Sequence, residues 1–133
     1  MDVVKIYLID DDETFRFLTK DIIASTNIPV KIKEFEYGKK ALEQLEKNAK
    51  NPDKLPDVIF IDLYMPVMDG WQFLEEYASI INKLQKKIRL YFFSSSISPH
   101  DIEKARLLKL ITDFIIKPID DHKFLDIVKN LSM

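Results

Sequence analysis

Val58-Ile59-Phe60-Ile61-Asp62 places four consecutive apolar residues, all β-branched or aromatic, ahead of an acid. Such a run, with no polar alternation, fits a strand buried on both faces, as in a parallel sheet. Three other runs have the same form. Ile6-Tyr7-Leu8-Ile9 stops at Asp10-Asp11-Asp12, Leu90-Tyr91-Phe92-Phe93 at Ser94-Ser95-Ser96, and Phe114-Ile115-Ile116 at Lys117-Pro118. Val30-Lys31-Ile32-Lys33-Glu34-Phe35 carries charges between its apolar residues and reads as an edge strand guarded by lysines. Helical stripes fill the intervals: Phe15, Leu18, Ile22 and Ile23; Ala41, Leu42 and Leu45; Trp71, Leu74, Tyr77, Ala78 and Ile81; Ile102, Ala105 and Leu108; Phe124, Leu125, Val128 and Leu131. Five strand–helix repeats predict an α/β fold, a parallel sheet covered on both faces. Residues 46–57 read as a polar loop longer than most connections.

The 133 residues suit one domain, and 47% hydrophobic with 32% charged residues suffice for a core. The formal net charge is −2, and Arg16, Arg89 and Arg106 are the only arginines, which argues against nucleic acid as a partner. The absence of Cys excludes disulfides, a thiol nucleophile and thiolate metal sites. His100 and His122 are too far apart in sequence to suggest a His-rich zinc site. Uninterrupted apolar runs reach about four residues against the ~20 a membrane helix needs. Met1-Asp2-Val3-Val4-Lys5 lacks the features of a signal peptide. The expectation is a cytoplasmic protein that does not engage a membrane.

In open parallel sheets, ligands bind beyond the carboxyl ends of the strands, where the strand order reverses. The predicted strands end in Asp10 and Asp11, Asp62, Ser94 and Lys117. Taken singly, each has an ordinary explanation. Asp12 suits a helix cap, Asp62 a turn, the serines a loop, and Lys117-Pro118 a turn. Phe114 and Trp71 suit core packing. Together they compose a site. Three neighbouring carboxylates stay ionised only beside a cation, and oxygen-only ligands select a hard ion, Mg²⁺ first. Lys117 adds a point charge for a phosphoryl group, and Ser94 a hydroxyl donor.

These residues resemble the response-regulator receiver domains of two-component signalling, over about residues 4–131. The resemblance rests on Leu8-Ile9-Asp10-Asp11, Ile61-Asp62-Leu63-Tyr64-Met65-Pro66-Val67-Met68-Asp69-Gly70, Phe93-Ser94-Ser95 and Phe114-Ile115-Ile116-Lys117-Pro118. It implies a doubly wound fold of strand order 2-1-3-4-5, shared with flavodoxin, and one receiver domain over residues 1–133. It implies that Asp62 is the phosphoacceptor and that Asp11 and Asp62 ligate Mg²⁺ directly. Asp10 would act through water, and the Tyr64 main-chain carbonyl would add a ligand. Ser94 matches the switch hydroxyl, Lys117 the active-site lysine with a cis Lys117-Pro118 bond, and Phe114 the aromatic rotamer switch. Tyr64 and Ser95 take positions that tune hydrolysis in the family. Leu110-Ile111-Thr112-Asp113 replaces the small Gly-Ala pair often found before the last strand.

The expected function is a switch phosphorylated on Asp62 by a histidine kinase or phosphotransfer protein. Its output is contact with a downstream protein target or phosphorelay, its expected state monomer or weak dimer, and its chemistry limited to its own phosphorylation and dephosphorylation. Phe114 is expected to sit inward even before phosphorylation, because it has no hydroxyl to satisfy. An Mg²⁺-dependent aspartyl-phosphate phosphatase is the enzyme alternative, but such enzymes place a second Asp where Tyr64 stands. A flavodoxin would carry a hydroxyl-rich phosphate loop in place of Asp10-Asp11-Asp12. A receiver-like module working unphosphorylated predicts a damaged acceptor set, whereas Asp11, Asp62, Ser94 and Lys117 are all present.

Overall fold

The apolar runs form β1 (Val4–Ile9), β3 (Val58–Asp62), β4 (Arg89–Ser94) and β5 (Asp113–Ile116), and the charge-interleaved run forms β2 (Val30–Phe35). All pair in parallel, in the order β2-β1-β3-β4-β5, so β2 is the expected edge. The computed structural model describes residues 3–95 and 97–131, apart from the side chains of 106–108. Ser96 and the side chains of Arg106 and Leu108 lie outside the described residues.

Alternation along the strands builds two cores. Tyr7, Ile9, Ile59, Ile61, Leu90 and Phe92 face α2 (Gly38–Lys47) and α3 (Gly70–Ile80). Ile6, Leu8, Val58, Phe60, Tyr91 and Phe93 face α1 (Glu13–Ala24) and α5 (Asp121–Leu131). Truncating a fully buried aromatic such as Phe92 costs about 3–5 kcal/mol by cavity formation. Four helical stripes differ from expectation. In α1 Leu18 is exposed and Thr19 is buried beside Ile23, its hydroxyl donating to the Phe15 carbonyl. In α3 the buried face is Phe73, Leu74, Tyr77 and Ile80, with Ala78 exposed, because Phe73 fills the space under Gly38. In α5 Ile127 is buried and Leu125 exposed, since the stripe follows Phe124 and Ile127. In α4 (Pro99–Leu108) Ile102 is exposed, and the buried residue of its first turns is Asp101.

The expected polar loop 46–57 is also corrected. α2 continues to Lys47, a 3₁₀ turn spans Pro52–Lys54, and Ala49, Leu55 and Pro56 are buried. These apolar residues pin the connection to the core. Lys117-Pro118 is cis, as the resemblance implied.

Candidate functional site: an acidic pocket at the sheet's switch point

β1 lies between β2 and β3, so the chain reverses direction across the sheet at β1 and β3. Asp10 follows β1 and Asp62 closes β3, so both carboxylates enter the crevice at that reversal. Asp10, Asp11 and Asp62 each bring a carboxylate oxygen to within 4.8 Å of the others. Asp10 is fully buried and Asp62 is 7% exposed. Asp12 is the N-cap of α1, accepting from the Phe15 amide as expected. Its own amide donates to Asp10 Oδ1 at 3.0 Å, which fixes the Asp10 side chain.

Lys117 reaches the same pocket from the end of β5. Its Nζ lies 3.1 Å from Asp10 Oδ2 and 3.2 Å from Asp62 Oδ2. The approach to Asp10 balances charge without hydrogen-bond geometry, so the buried Asp10 Oδ2 has no donor. Burial pushes the Asp62 carboxyl above its ordinary pKa; Lys117 pulls it back, Asp10 pushes it further up, and the Tyr64 amide, donating to it, stabilises the charge. Ser94 is buried at the end of β4, and its carbonyl accepts from the Lys117 amide at 2.9 Å. The structure thus brings Asp10, Asp11, Asp62, Ser94 and Lys117 to one end of the sheet.

The segment after Asp62 is shaped by its backbone. The Leu63 amide bonds the Phe93 carbonyl at 2.9 Å, and the Gly70 amide bonds the Leu63 carbonyl at 2.7 Å. A Cβ at Gly70 would meet the Leu63 Cα and a Phe92 ring carbon, each at 3.0 Å, so any larger residue would have to push the Leu63 backbone and the Phe92 ring aside. Asp69 caps α3 in a reciprocal capping box with Gln72. Val67 sits at φ 70°, 91% exposed, with the Met68 amide bonded to the Pro66 carbonyl. A β-branched residue there is strained, and the strain lies in the loop beside the pocket.

Four side chains make contacts that the sequence reading did not assign to them. The Phe15 ring lies 4.1 Å under Lys117 Nζ, a cation–π contact that holds the lysine over the acids. Arg16 donates to the Asp10 carbonyl at 2.6 Å and pairs with Glu34 at 3.1 Å, tying α1 to β2 at the rim. The Tyr64 hydroxyl donates to Asp101 Oδ2 at 2.8 Å, crossing from the β3–α3 loop to the first turn of α4. Asp101 is only 4% exposed: burial raises its pKa, but Tyr64 and Ser98 as donors outweigh that and hold it below the ordinary range. The same bond raises the Tyr64 hydroxyl.

Phe114 packs against Phe92 and Trp71, with centroids 5.8 and 6.4 Å apart. It is half-buried against the α2–α3 core. Lys104 Nζ of α4 lies 4.6 Å from the Trp71 ring. A groove of about 190 Å³ runs between α4 and β5, bordered by Ile102, Ala105 and Phe114.

Residues 6–129 match the family model described as response regulator receiver domain. The chain is 26% identical over 124 residues to the chemotaxis protein CheY of Bacillus subtilis, covering 93% of each. It is 31% identical over 121 residues to the sensor histidine kinase CheAY of Helicobacter pylori, covering 91% of this chain and 14% of that one. In three dimensions it resembles a two component response regulator from Cytophaga hutchinsonii, with a TM-score of 0.88, 24% identity, and 99% and 98% of the two chains covered. A two-component response regulator from Legionella pneumophila superposes with a TM-score of 0.81 at 25% identity, over 99% and 100% of the chains. Among the described residues, no helix is long and apolar enough to cross a membrane.

Proposed function

The chain belongs to the response regulator receiver domain family of two-component signalling, and from that premise we propose that Asp62 is the phosphoacceptor of a Mg²⁺-dependent switch. The observation that carries the reading is the Asp10–Asp11–Asp62 cluster with Lys117 over it. A donorless buried oxygen on Asp10, with two further carboxylates beside it, fits a hard divalent ion. Asp11 and Asp62 would hold it directly, Asp10 through water, and the Tyr64 carbonyl would complete the protein ligands. When bound, Mg²⁺ offsets the charge of the carboxylates and of the incoming phosphoryl oxygens.

The donor is the phosphohistidine of a kinase or phosphotransfer protein. A carboxylate oxygen of Asp62 attacks phosphorus in line, the O–P bond forms, the P–N bond breaks, and the imidazole leaves with the electron pair. Lys117 holds a phosphoryl oxygen, and Ser94 donates its hydroxyl to another. Hydrolysis by water restores the carboxylate. Phe114 and the surface of α4, β5 and α5 carry the change to a downstream protein, as one receiver domain over residues 1–133, acting in the cytoplasm as a monomer or weak dimer. The phosphatase and phosphorylation-independent readings are not favoured.

The test is labelling by acetyl phosphate, resolved on a phosphate-affinity gel. A shifted band is expected for the wild type with Mg²⁺, and none with EDTA or in Asp62→Asn. Equal shifts in wild type and variant would remove Asp62 from its role.

A further inference from the structure

At the opposite end of the sheet from the acids, a groove of about 470 Å³ opens between β1, β2 and the C-terminal half of α2. Lys5, Lys31, Lys33, Lys47 and Lys54 line it, against one carboxylate, Asp53. Parallel register places Lys5 beside Lys31, and Lys33 beside Tyr7. Like charges directly abreast in a sheet are destabilising. Guarding an edge explains Lys31 and Lys33 on β2. It does not explain Lys5, since β1 is an interior strand, nor Lys47 and Lys54, which approach from α2 and the following turn.

Nearby carboxylates do not neutralise the cluster. Glu34 is on the other face of β2, paired with Arg16 and Lys20. Asp57 is paired with Lys86 at 2.8 Å, and Glu46 lies toward Lys83 at 4.0 Å. Lys5 Nζ donates to the Asp53 carbonyl, a neutral acceptor. Lys33 Nζ lies 5.8 Å from the Phe35 ring centroid. Among the described residues, Lys31, Lys47 and Lys54 make no ion pair.

We propose that this groove is a binding site for a small anion carrying two or more linked phosphates. Its volume falls in the ~300–1,000 Å³ range of small-ligand sites. Five lysines against one carboxylate supply more positive charge than a single phosphate balances, and a chain of linked phosphates carries enough to meet it. Lysines act as movable point charges and suit such a chain without demanding a fixed geometry. The site is separate from the phosphoacceptor: Lys5 precedes Asp10 by five strand residues, about 17 Å of extended chain.

Inorganic tripolyphosphate and ATP present this chemistry from two sources. The full-length chain is titrated with each in EDTA while amide spectra are recorded, with sodium sulfate at matched ionic strength as control. Saturable shifts are expected at Lys5, Tyr7, Lys31, Lys33 and Lys47, with Asp62 and Lys117 unmoved. Replacing Lys31→Gln and Lys33→Gln together should weaken binding about ten-fold, as for two exposed charge contacts. These substitutions lie on an exposed edge and relieve like-charge contact, so a thermal midpoint no lower than that of the wild type checks the fold. Tighter tripolyphosphate binding identifies the inorganic chain as the source, and tighter ATP binding a nucleotide. The same shifts with sulfate, shifts confined to the acidic pocket, or undiminished affinity in the double variant would each overturn the proposal.

Discussion

A single side chain shows what the acidic pocket costs the folded protein. Asp62 is buried, and burial raises its carboxyl pKa from the ordinary 3.8, with Lys117 opposing and Asp10 adding to the rise. A raised carboxyl binds its proton more readily folded than unfolded. The folded state therefore loses stability as pH climbs from the unfolded pKa through the folded one, and the penalty is complete above both. Asp62→Asn keeps the shape and removes the charge. In EDTA at pH 7.5, above both the folded and unfolded pKa, it should raise unfolding stability. That advantage should shrink as the pH falls toward 3.8. Urea unfolding of both proteins at several pH values measures it. A variant less stable than wild type at pH 7.5 would mean that Lys117 more than compensates for the burial.

Two elements, the β3–α3 loop and α4, are joined by Tyr64 and Asp101, and the joint is separable from the chemistry. Tyr64→Phe deletes the hydroxyl and leaves a buried carboxylate one donor short, a loss of about 1–3 kcal/mol if nothing replaces it. The Asp101 pKa should rise, since a cause that lowers it is gone. Carboxyl titration by NMR reads the first effect, and faster amide exchange in α4, with α1 and α5 unchanged, reads the loosening. An unaltered α4 would mean that contacts other than Tyr64–Asp101 set its position. Sequence periodicity exposed the strands, because Val58–Asp62 and residues 6–9 and 90–93 are buried on both faces; the run 114–116 forms a strand too, but at the sheet edge, where Ile116 is exposed rather than buried as expected. The strand-end acids, Ser94 and Lys117 were legible for the same reason. Helix faces were less so: Phe73 and Ile127 displaced neighbours in the expected stripes, since several apolar residues in α3 and α5 fit a period of 3.6. The 46–57 segment hid its structure because Ala49 and Leu55 are isolated apolar residues among polar ones. Phe15 under Lys117, and Tyr64 on Asp101, depend on contacts between residues distant in sequence, which no local pattern carries.

Across the whole molecule, the acids sit at one end of a rigid sheet and the proposed signalling face lies along one side of it. β4 and β5 link them: Ser94 pairs with Ile116 and Phe92 with Phe114 in adjacent registers. Among its described side chains, α4 has Ile102 exposed, and Tyr64–Asp101 and Lys104–Trp71 join it to its neighbours. Elements with few buried contacts are those that move at low cost. Trp71, the single tryptophan, lies where the pocket and α4 meet, against Phe92 and Phe114 with Lys104 over its ring. A ligand shifts this arrangement only if it binds one state better than the other, and moving a 1:99 mixture to 99:1 takes about a 10⁴-fold difference. Beryllofluoride with Mg²⁺, which mimics the acyl phosphate, supplies the ligand. It should change Trp71 fluorescence and shift amides in α4, β5 and α5, while β2 and its lysines stay fixed. Asp62→Asn should show neither response. Shifts confined to Asp10, Asp11, Asp62 and Lys117, with Trp71 silent, would leave a domain that accepts a phosphoryl group and passes it on without changing its surface.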